Sequence, residues 1–496
     1  MKTKKWLTLL LVAAMLTGAL SACGETAVVE TESSIDPAGT VETKETVATD
    51  PYAEMDLGGI DIRMMVSDRE IDNLTSSITI IQHGDELTGE VVSDAVYNRN
   101  MLVEEMLNIH LCFEPNTQIE TEIPATITQL ITAGDDAYEL IIHELFPLAT
   151  LSVQNHFYNV YDVPHLDFTK EYWYEDYMRD VSFDSDSQRY ILAGDYFLDI
   201  LRSAHALYFN KDRFNDLYGA PEDLYDLVLA GNWTYDVFLE YANGAYQDVN
   251  GDGQHDANDL YGFSTNGYWG PIIPWVIGAD ITFLSYREDG SPYFDMNNER
   301  SVKLLERLNE IFYGEGAYNY GGDFQTAFMN GSSLFGGYLR VAHMETFRDM
   351  EADLGVLPIP KMDDAQPKYI TSSHDTTSIG VIPITCTRLS EIGAVLEVMS
   401  RESAASVIPA YYETSLKTKY VRDDQSAQIL DLIRQNISCV FPVAFGNYCN
   451  DMAIKKAFSE PLTAKSTDFV SSYVKAEGTA QAKLDELWEA FSSIEN

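Results

Sequence analysis

Short apolar runs separated by stretches of helical periodicity are the feature that most restricts this chain. IDIRMMV at 60–66, IHLCF at 109–113 and YELIIH at 138–143 have strand length. Between the first two, Val92, Ala95, Val96, Val103, Met106 and Leu107 fall on one helical face. Between the second and third, Pro124 stands at the first helical position and Gly134 at a stop. Strands alternating with helices predict βαβ units and a parallel sheet, and the largely apolar third run predicts a strand covered on both faces. Such sheets bind ligands outside the carboxyl ends of their strands. That rule places Ser67 and Asp68, after the first strand, and Glu144, after the third, beside a crevice. A second series starts near residue 166. It has a strand at 204–210, a helix carrying Phe238, Leu239 and Ala242 with Thr234 as its cap, and a helix carrying Val302, Leu305, Leu308 and Phe312. Short strands at 355–359 and 378–384 and helices around Ile392–Met399 and Leu484–Phe491 complete it. At 496 residues, 45% of them hydrophobic, the chain has enough apolar material for two or three folding units.

The N-terminus carries an address. Lys2, Lys4 and Lys5 precede an apolar stretch from Trp6 to Leu20, too short and too poorly flanked for a spanning helix. Leu20-Ser21-Ala22-Cys23 then resembles the lipobox of bacterial lipoproteins, in which the cysteine is acylated and becomes the first residue. The expectation is a signal peptide over 1–22 and a lipid anchor, palmitate-type, on Cys23, with two acyl chains giving stable membrane attachment. Residues 23–56 lack a hydrophobic period and are rich in Thr, Glu, Ser and Asp, so they are expected to be a flexible acidic tether.

The charge excludes several functions. With 32 basic and 78 acidic residues the formal charge is −46, which leaves no cationic excess to neutralise nucleic-acid phosphates or a polyanionic substrate. Cations and neutral ligands fit it better. Five cysteines give no C-x-x-C pair, so a zinc knuckle is not expected; Cys439 and Cys449 are close enough in sequence to pair, but spacing alone leaves a disulfide and two buried thiols both open.

One loop has hard-cation chemistry. Asp248, Asn250, Asp252, Gln254, Asp256 and Asp259 occupy positions 1, 3, 5, 7, 9 and 12 of an EF-hand-type loop, with Gly253 at the sharp turn of position 6. Three alternating side chains, the Gln254 carbonyl and the two later acids supply the converging oxygens that calcium needs. The expectation is structural Ca2+, with no organic cofactor. A metal-free acidic turn is the simpler alternative.

Six stretches carry a resemblance to a known family: ALYFNKDRFNDLYG at 206–219, NWTYDVFLEYA at 232–242, DLYGFST at 259–265, FMNGSSLFGGYLR at 328–340, LGVLPIPK at 354–361 and PAYYETSLKTKYVRDDQS at 409–426. In this order they resemble the extracellular solute-binding lipoproteins, family 1 sugar-type, that feed bacterial ABC importers. Tyr338 stands where many members have Trp, and Ser332 where a Lys is usual. The resemblance implies an α/β, two-lobed periplasmic-binding-protein-like fold with a hinge between the lobes. It implies one lobe from 57–165 plus about 320–380, a second from 166–319 plus 381–496, a monomer, and ABC permease transmembrane subunits as partners.

The aromatic content, 30 Tyr, 22 Phe and 6 Trp, suits sugars, whose C–H faces stack on rings. Trp269, with Tyr268, lies where the family places a stacking Trp, and Tyr338 with Arg340 at another such position. Trp173 between Tyr172 and Tyr174, Tyr196 beside Asp195, and His374 complete the expected ligand-binding set with Asp68 and Glu144. Each such aromatic serves equally well to fill a core. No HExxH, GxSxG, P-loop or full GxGxxG is present, so no enzyme is expected. The alternatives are a surface lipoprotein that hydrolyses glycans and a sensor or adhesion lipoprotein that binds without transport.

Overall fold

The computed structural model describes residues 29–35, 41–47, 50–70, 74–82, 86–266, 270–347, 350–416, 424–438 and 441–494. The signal segment and Cys23 lie outside these residues. The chain divides into two units, 1–56 and 57–496. In the first, Val29–Ile35 pairs antiparallel with Val41–Val47. The expected tether therefore contains a paired ladder. Its β-branched Val, Thr and Ile residues favour extended backbone, an effect that the acidic composition hides.

The second unit is built on two sheets. The first opens with β1 (Ile60–Ser67), β2 (Ile109–Asn116) and β3 (Leu140–Glu144), all mutually parallel with β1 in the middle. All five residues of β3 are buried, as its apolar run predicts, whereas β2 at the edge is half-exposed. The helix Val91–Leu107 buries Val96, Val103 and Leu107. The helix Ile123–Ala133 has its Pro in the first turn and ends on Gly134, whose φ of 67° lets its N–H reach the Ile131 and Leu130 carbonyls.

The second sheet holds β4 (His205–Asn210), β5 (Tyr261–Thr265), β6 (Ala317–Asn319), β7 (Ser333–Arg340) and β8 (Leu354–Leu357), in the order β6-β5-β7-β4-β8. Here β4 alone is reversed, antiparallel to β7 and β8. The chain then returns to the first sheet as β9 (Ser378–Val381), antiparallel to β3 at its edge. Each sheet thus contains one reversed strand, and each is the strand by which the chain has just crossed over.

These pairings correct the expected boundaries. Of 320–380, only β9 joins the first sheet, because β7 and β8 flank β4. Within 166–319, Leu192 bridges to Gly380 on β9, so the stretch up to about 199 belongs with the first sheet. After β9, the helix Leu389–Glu402 packs on the helix Val91–Leu107 before the chain crosses again to the helix Asp424–Gln435, which packs on Pro221–Leu229. Sequence spacing cannot reveal which sheet a strand joins; the register of β4 decides it.

Close packing of helix on sheet fixes one prediction. A Cβ on Gly262, in β5, would sit 2.0 Å from the Ala242 carbonyl oxygen and 2.4 Å from its carbonyl carbon, both backbone atoms. Gly262→Ala is expected to cost about 3 kcal/mol of stability, read as a lower urea midpoint with an unchanged slope.

Candidate functional site

Both sheets turn their carboxyl ends toward one seam. From the first come Ser67–Arg69 after β1 and Glu144–Phe146 after β3; from the second come Arg340 at the end of β7 and Ile273, in the helix Ile273–Gly278 that follows β5. Two crossing segments run side by side across the seam. Ala204 bridges to Ser373, and the His374 N–H donates to the Ser203 carbonyl at 2.9 Å. The His205 ring lies 2.8 Å from the Ser372 hydroxyl through Nδ1. Two cavities line the seam. One of about 20 Å³ is bounded by Ser67, Arg69, Asp199, Arg202, Arg340 and Ser378. The other, of about 30 Å³, is bounded by Phe146, Ile273, Asp375, Pro442, Asn447 and Lys455. Each has room for a water or two, not for a sugar ring.

Charge at the seam is buried and paired. Arg202 is bidentate to Glu345, Nε to Oε1 at 2.9 Å and Nη2 to Oε2 at 3.0 Å, and meets Asp199 at 3.3 Å. Asp199 in turn accepts the Ser378 N–H at 3.1 Å, so Glu345, on the short helix following β7, is linked through Arg202 and Asp199 to β9 in the first sheet. Burial holds the Asp199 carboxyl above the usual range despite the Arg202 charge. Glu144 is 1% exposed, pairs with Arg69, and has its carboxyl raised to about 7 by burial, which outweighs the Arg69 charge. Burial also pushes His143 down to about 4 and His205 well below its ordinary value.

The expected ligand residues separate into three groups. Asp68, Glu144, Arg340 and His374 come to the seam; Asp68 accepts the Ser76 hydroxyl at 2.9 Å, and His374 contacts Thr376 Oγ1 at 2.8 Å. Tyr268 and Trp269 lie outside the described residues, between Asn266 and Gly270, and of Tyr338 only its place in β7 is described. The third group is a correction. Trp173 is buried, with its indole N–H donating to Glu397 at 3.0 Å. Tyr196 is fully buried and donates to the Leu192 carbonyl at 3.0 Å. Asp195 is buried between the Tyr174 hydroxyl, at 2.8 Å, and Arg434. Their polar atoms are satisfied inside the fold, and none of the three lines either cavity of the seam. Asp248, Asn250, Asp252, Gln254, Asp256 and Asp259 lie away from the seam, in the loop that feeds the amino end of β5. Cys439 lies outside the described residues; Cys112, Cys386 and Cys449 are free thiols.

Sequence reasoning missed Arg69, Asp199 and Arg202, and the 442–455 segment. The arginine after Ser67-Asp68 was readable from the carboxyl-end rule. Asp199 and Arg202 carry no local signal, because their partners are Ser378 and Glu345.

No family model matches the chain, and no curated protein matches it. Solved structures do. An ABC substrate-binding protein of Listeria monocytogenes, in complex with cycloalternan, is 13% identical, covers 88% of this chain and 99% of its own, and superposes with a TM-score of 0.51. The galacto-N-biose-/lacto-N-biose I-binding protein of the Bifidobacterium longum ABC transporter, in complex with lacto-N-biose, is 13% identical over 87% of this chain and 98% of its own, with a TM-score of 0.54. A Rhizobium etli sugar transporter in an open conformation is 13% identical over 88% of this chain and 100% of its own, again at 0.54. At this identity the likeness is one of fold: the chain has the two-lobed α/β architecture of periplasmic binding proteins.

The raised Glu144 carboxyl gives a pH signature. An acid that holds its proton more tightly in the folded state stabilises the fold at low pH and loses that contribution as pH rises through about 7. The span from an ordinary Glu is worth about 3 kcal/mol. Glu144→Gln is therefore expected to flatten the fall in stability between about pH 4.5 and 7, measured as urea midpoint against pH.

Proposed function

We propose that this chain is the lipid-anchored receptor of an ABC importer, capturing a carbohydrate outside the membrane and delivering it to the permease's transmembrane subunits. The observation that carries the reading is the seam itself: the carboxyl ends of two α/β sheets face each other across paired crossing segments. That geometry lets two lobes close on a solute without covalent chemistry. Asp68, Glu144, Arg340 and His374 supply charged and hydrogen-bonding groups for hydroxyls, and Tyr268 and Trp269 follow β5 in sequence as the rings proposed to stack on the sugar. Solved structures that share the fold include complexes with cycloalternan and lacto-N-biose. Cys23 supplies the membrane attachment; among the described residues no helix is long and apolar enough to cross a membrane.

Two experiments test this. Oligosaccharides titrated by calorimetry are expected to bind one per chain, with a fall in the radius of gyration on saturation as the lobes close, and to be recovered intact by mass spectrometry. A glycan returned shortened identifies a hydrolase instead, and a panel without any binding overturns the carbohydrate assignment. Cys23→Ala is expected to move the protein from the membrane fraction to the medium; retention in the membrane fraction removes the lipid anchor.

A further inference from the structure

The loop from Asp248 to Asp259 is closed at its base. Gln247 and Leu260 exchange both backbone hydrogen bonds, Gln247 N–H to Leu260 C=O at 2.8 Å and Leu260 N–H to Gln247 C=O at 3.0 Å. This antiparallel bridge draws the two ends of the twelve-residue loop, Asp248 and Asp259, together along the backbone. Between them the chain is drawn into tight turns. Gly251 and Gly253 hold φ of 71° and 68°, a left-handed conformation that a residue with a Cβ adopts only at a cost.

The loop's oxygens turn inward onto its own backbone. Asp248 accepts the Gly251 N–H at 2.7 Å and the Gly253 N–H at 2.9 Å, Asn250 Oδ1 accepts the Asp252 N–H at 3.0 Å, and Asp252 Oδ1 accepts the Gln254 N–H at 2.8 Å. Each such oxygen keeps a second lone pair. Among the described residues no three His, Cys, Asp or Glu side chains form a metal cluster. The four carboxylates of the loop are therefore not gathered on one point here, and closing on an ion would draw Asp248 and Asp252 off their backbone N–H partners.

Asp259 is the independent observation. It is 1% exposed and its Oδ2 accepts the Tyr246 hydroxyl at 3.1 Å. Its Oδ1 is buried and has no hydrogen-bond partner among the described residues. The Tyr261 hydroxyl lies 3.0 Å from the Asp256 carbonyl and 3.5 Å from Asp259 Oδ2, which places this carboxylate against the loop rather than behind it. A buried carboxylate oxygen without a donor or a cation is costly. The surrounding rings hold it in place: Tyr246 stacks on His255 at 4.3 Å and Tyr261 on Tyr318 at 4.8 Å.

We propose that this loop is a calcium site, in which Asp248, Asn250, Asp252, the Gln254 carbonyl and Asp256 close on the ion and the buried Asp259 completes the shell. The site is structural. It pins the amino end of β5, and five residues of strand separate it from the seam by roughly 17 Å. The shorter Asp at position 12, in place of Glu, sets the dissociation constant in the range of extracellular modules, roughly 10⁻⁴–10⁻³ M.

The test uses the purified full chain and terbium as the probe, since Tyr246 and Tyr261 lie beside the site and sensitise its emission. One equivalent of sensitised terbium, displaced by millimolar calcium, is expected, together with a calcium-dependent rise in Tm of a few degrees that a chelator reverses. Asp259→Asn and the exposed-loop variant Asp252→Ala are each expected to weaken binding by roughly tenfold or more while leaving the calcium-free Tm of Asp252→Ala unchanged. Absence of tyrosine-sensitised emission, or emission equally strong in both variants, overturns the proposal. Because the readouts are emission and Tm, sugar binding does not enter them, and the result stands whatever the seam binds.

Discussion

The chain of buried charge from Glu345 through Arg202 to Asp199 and the Ser378 N–H is the constraint on which the two-lobed arrangement depends. It lies where the backbone passes from one sheet to the other. Its value is positional more than energetic. A buried ion pair is roughly neutral against a well-packed apolar substitute, but removal of one partner leaves an uncompensated charge at a cost of about 3–5 kcal/mol. These pairings hold the crossings in register.

The local elements were legible because their signals are local. The fully buried β3 follows from an apolar run, the helix Ile123–Ala133 from Pro124 and Gly134, and the helix Tyr235–Gly244 from Thr234, whose hydroxyl accepts the Val237 N–H at 3.4 Å. The carboxyl-end rule brought Asp68 and Glu144 to the seam. Sheet membership was not legible: β7 and β8 look like any other strands, and only the reversed β4 between them assigns them to the second sheet. Asp199 and Arg202 stayed hidden for the same reason, since their meaning is a pairing across long sequence separations.

Aromatic residues show the limit of composition as a guide. Many tyrosines fasten the core instead of facing solvent. The Tyr208 hydroxyl reaches the Arg340 and Val341 carbonyls, each at 3.0 Å, Tyr369 reaches Val228 at 2.9 Å, and Tyr473 reaches Phe294 at 2.9 Å. Each ring contributes apolar area while its hydroxyl satisfies a backbone group inside the protein. Tyr196 follows this pattern and Trp173 a variant of it, with its indole N–H on the Glu397 carboxylate, so a sequence rich in such residues describes the core as much as any binding surface. Position relative to a strand end separates the two uses, and residue type does not.

The exchange of one reversed strand between the sheets has a consequence for assembly. The first sheet is without its edge until residues 378–381 arrive, and the second is built around a strand that leads out of the first. Neither half is a self-sufficient folding module, so maturation must await synthesis of most of the polypeptide. A molecule cut between 210 and 378 would leave two fragments, each exposing an unsatisfied β-edge and each inviting aggregation.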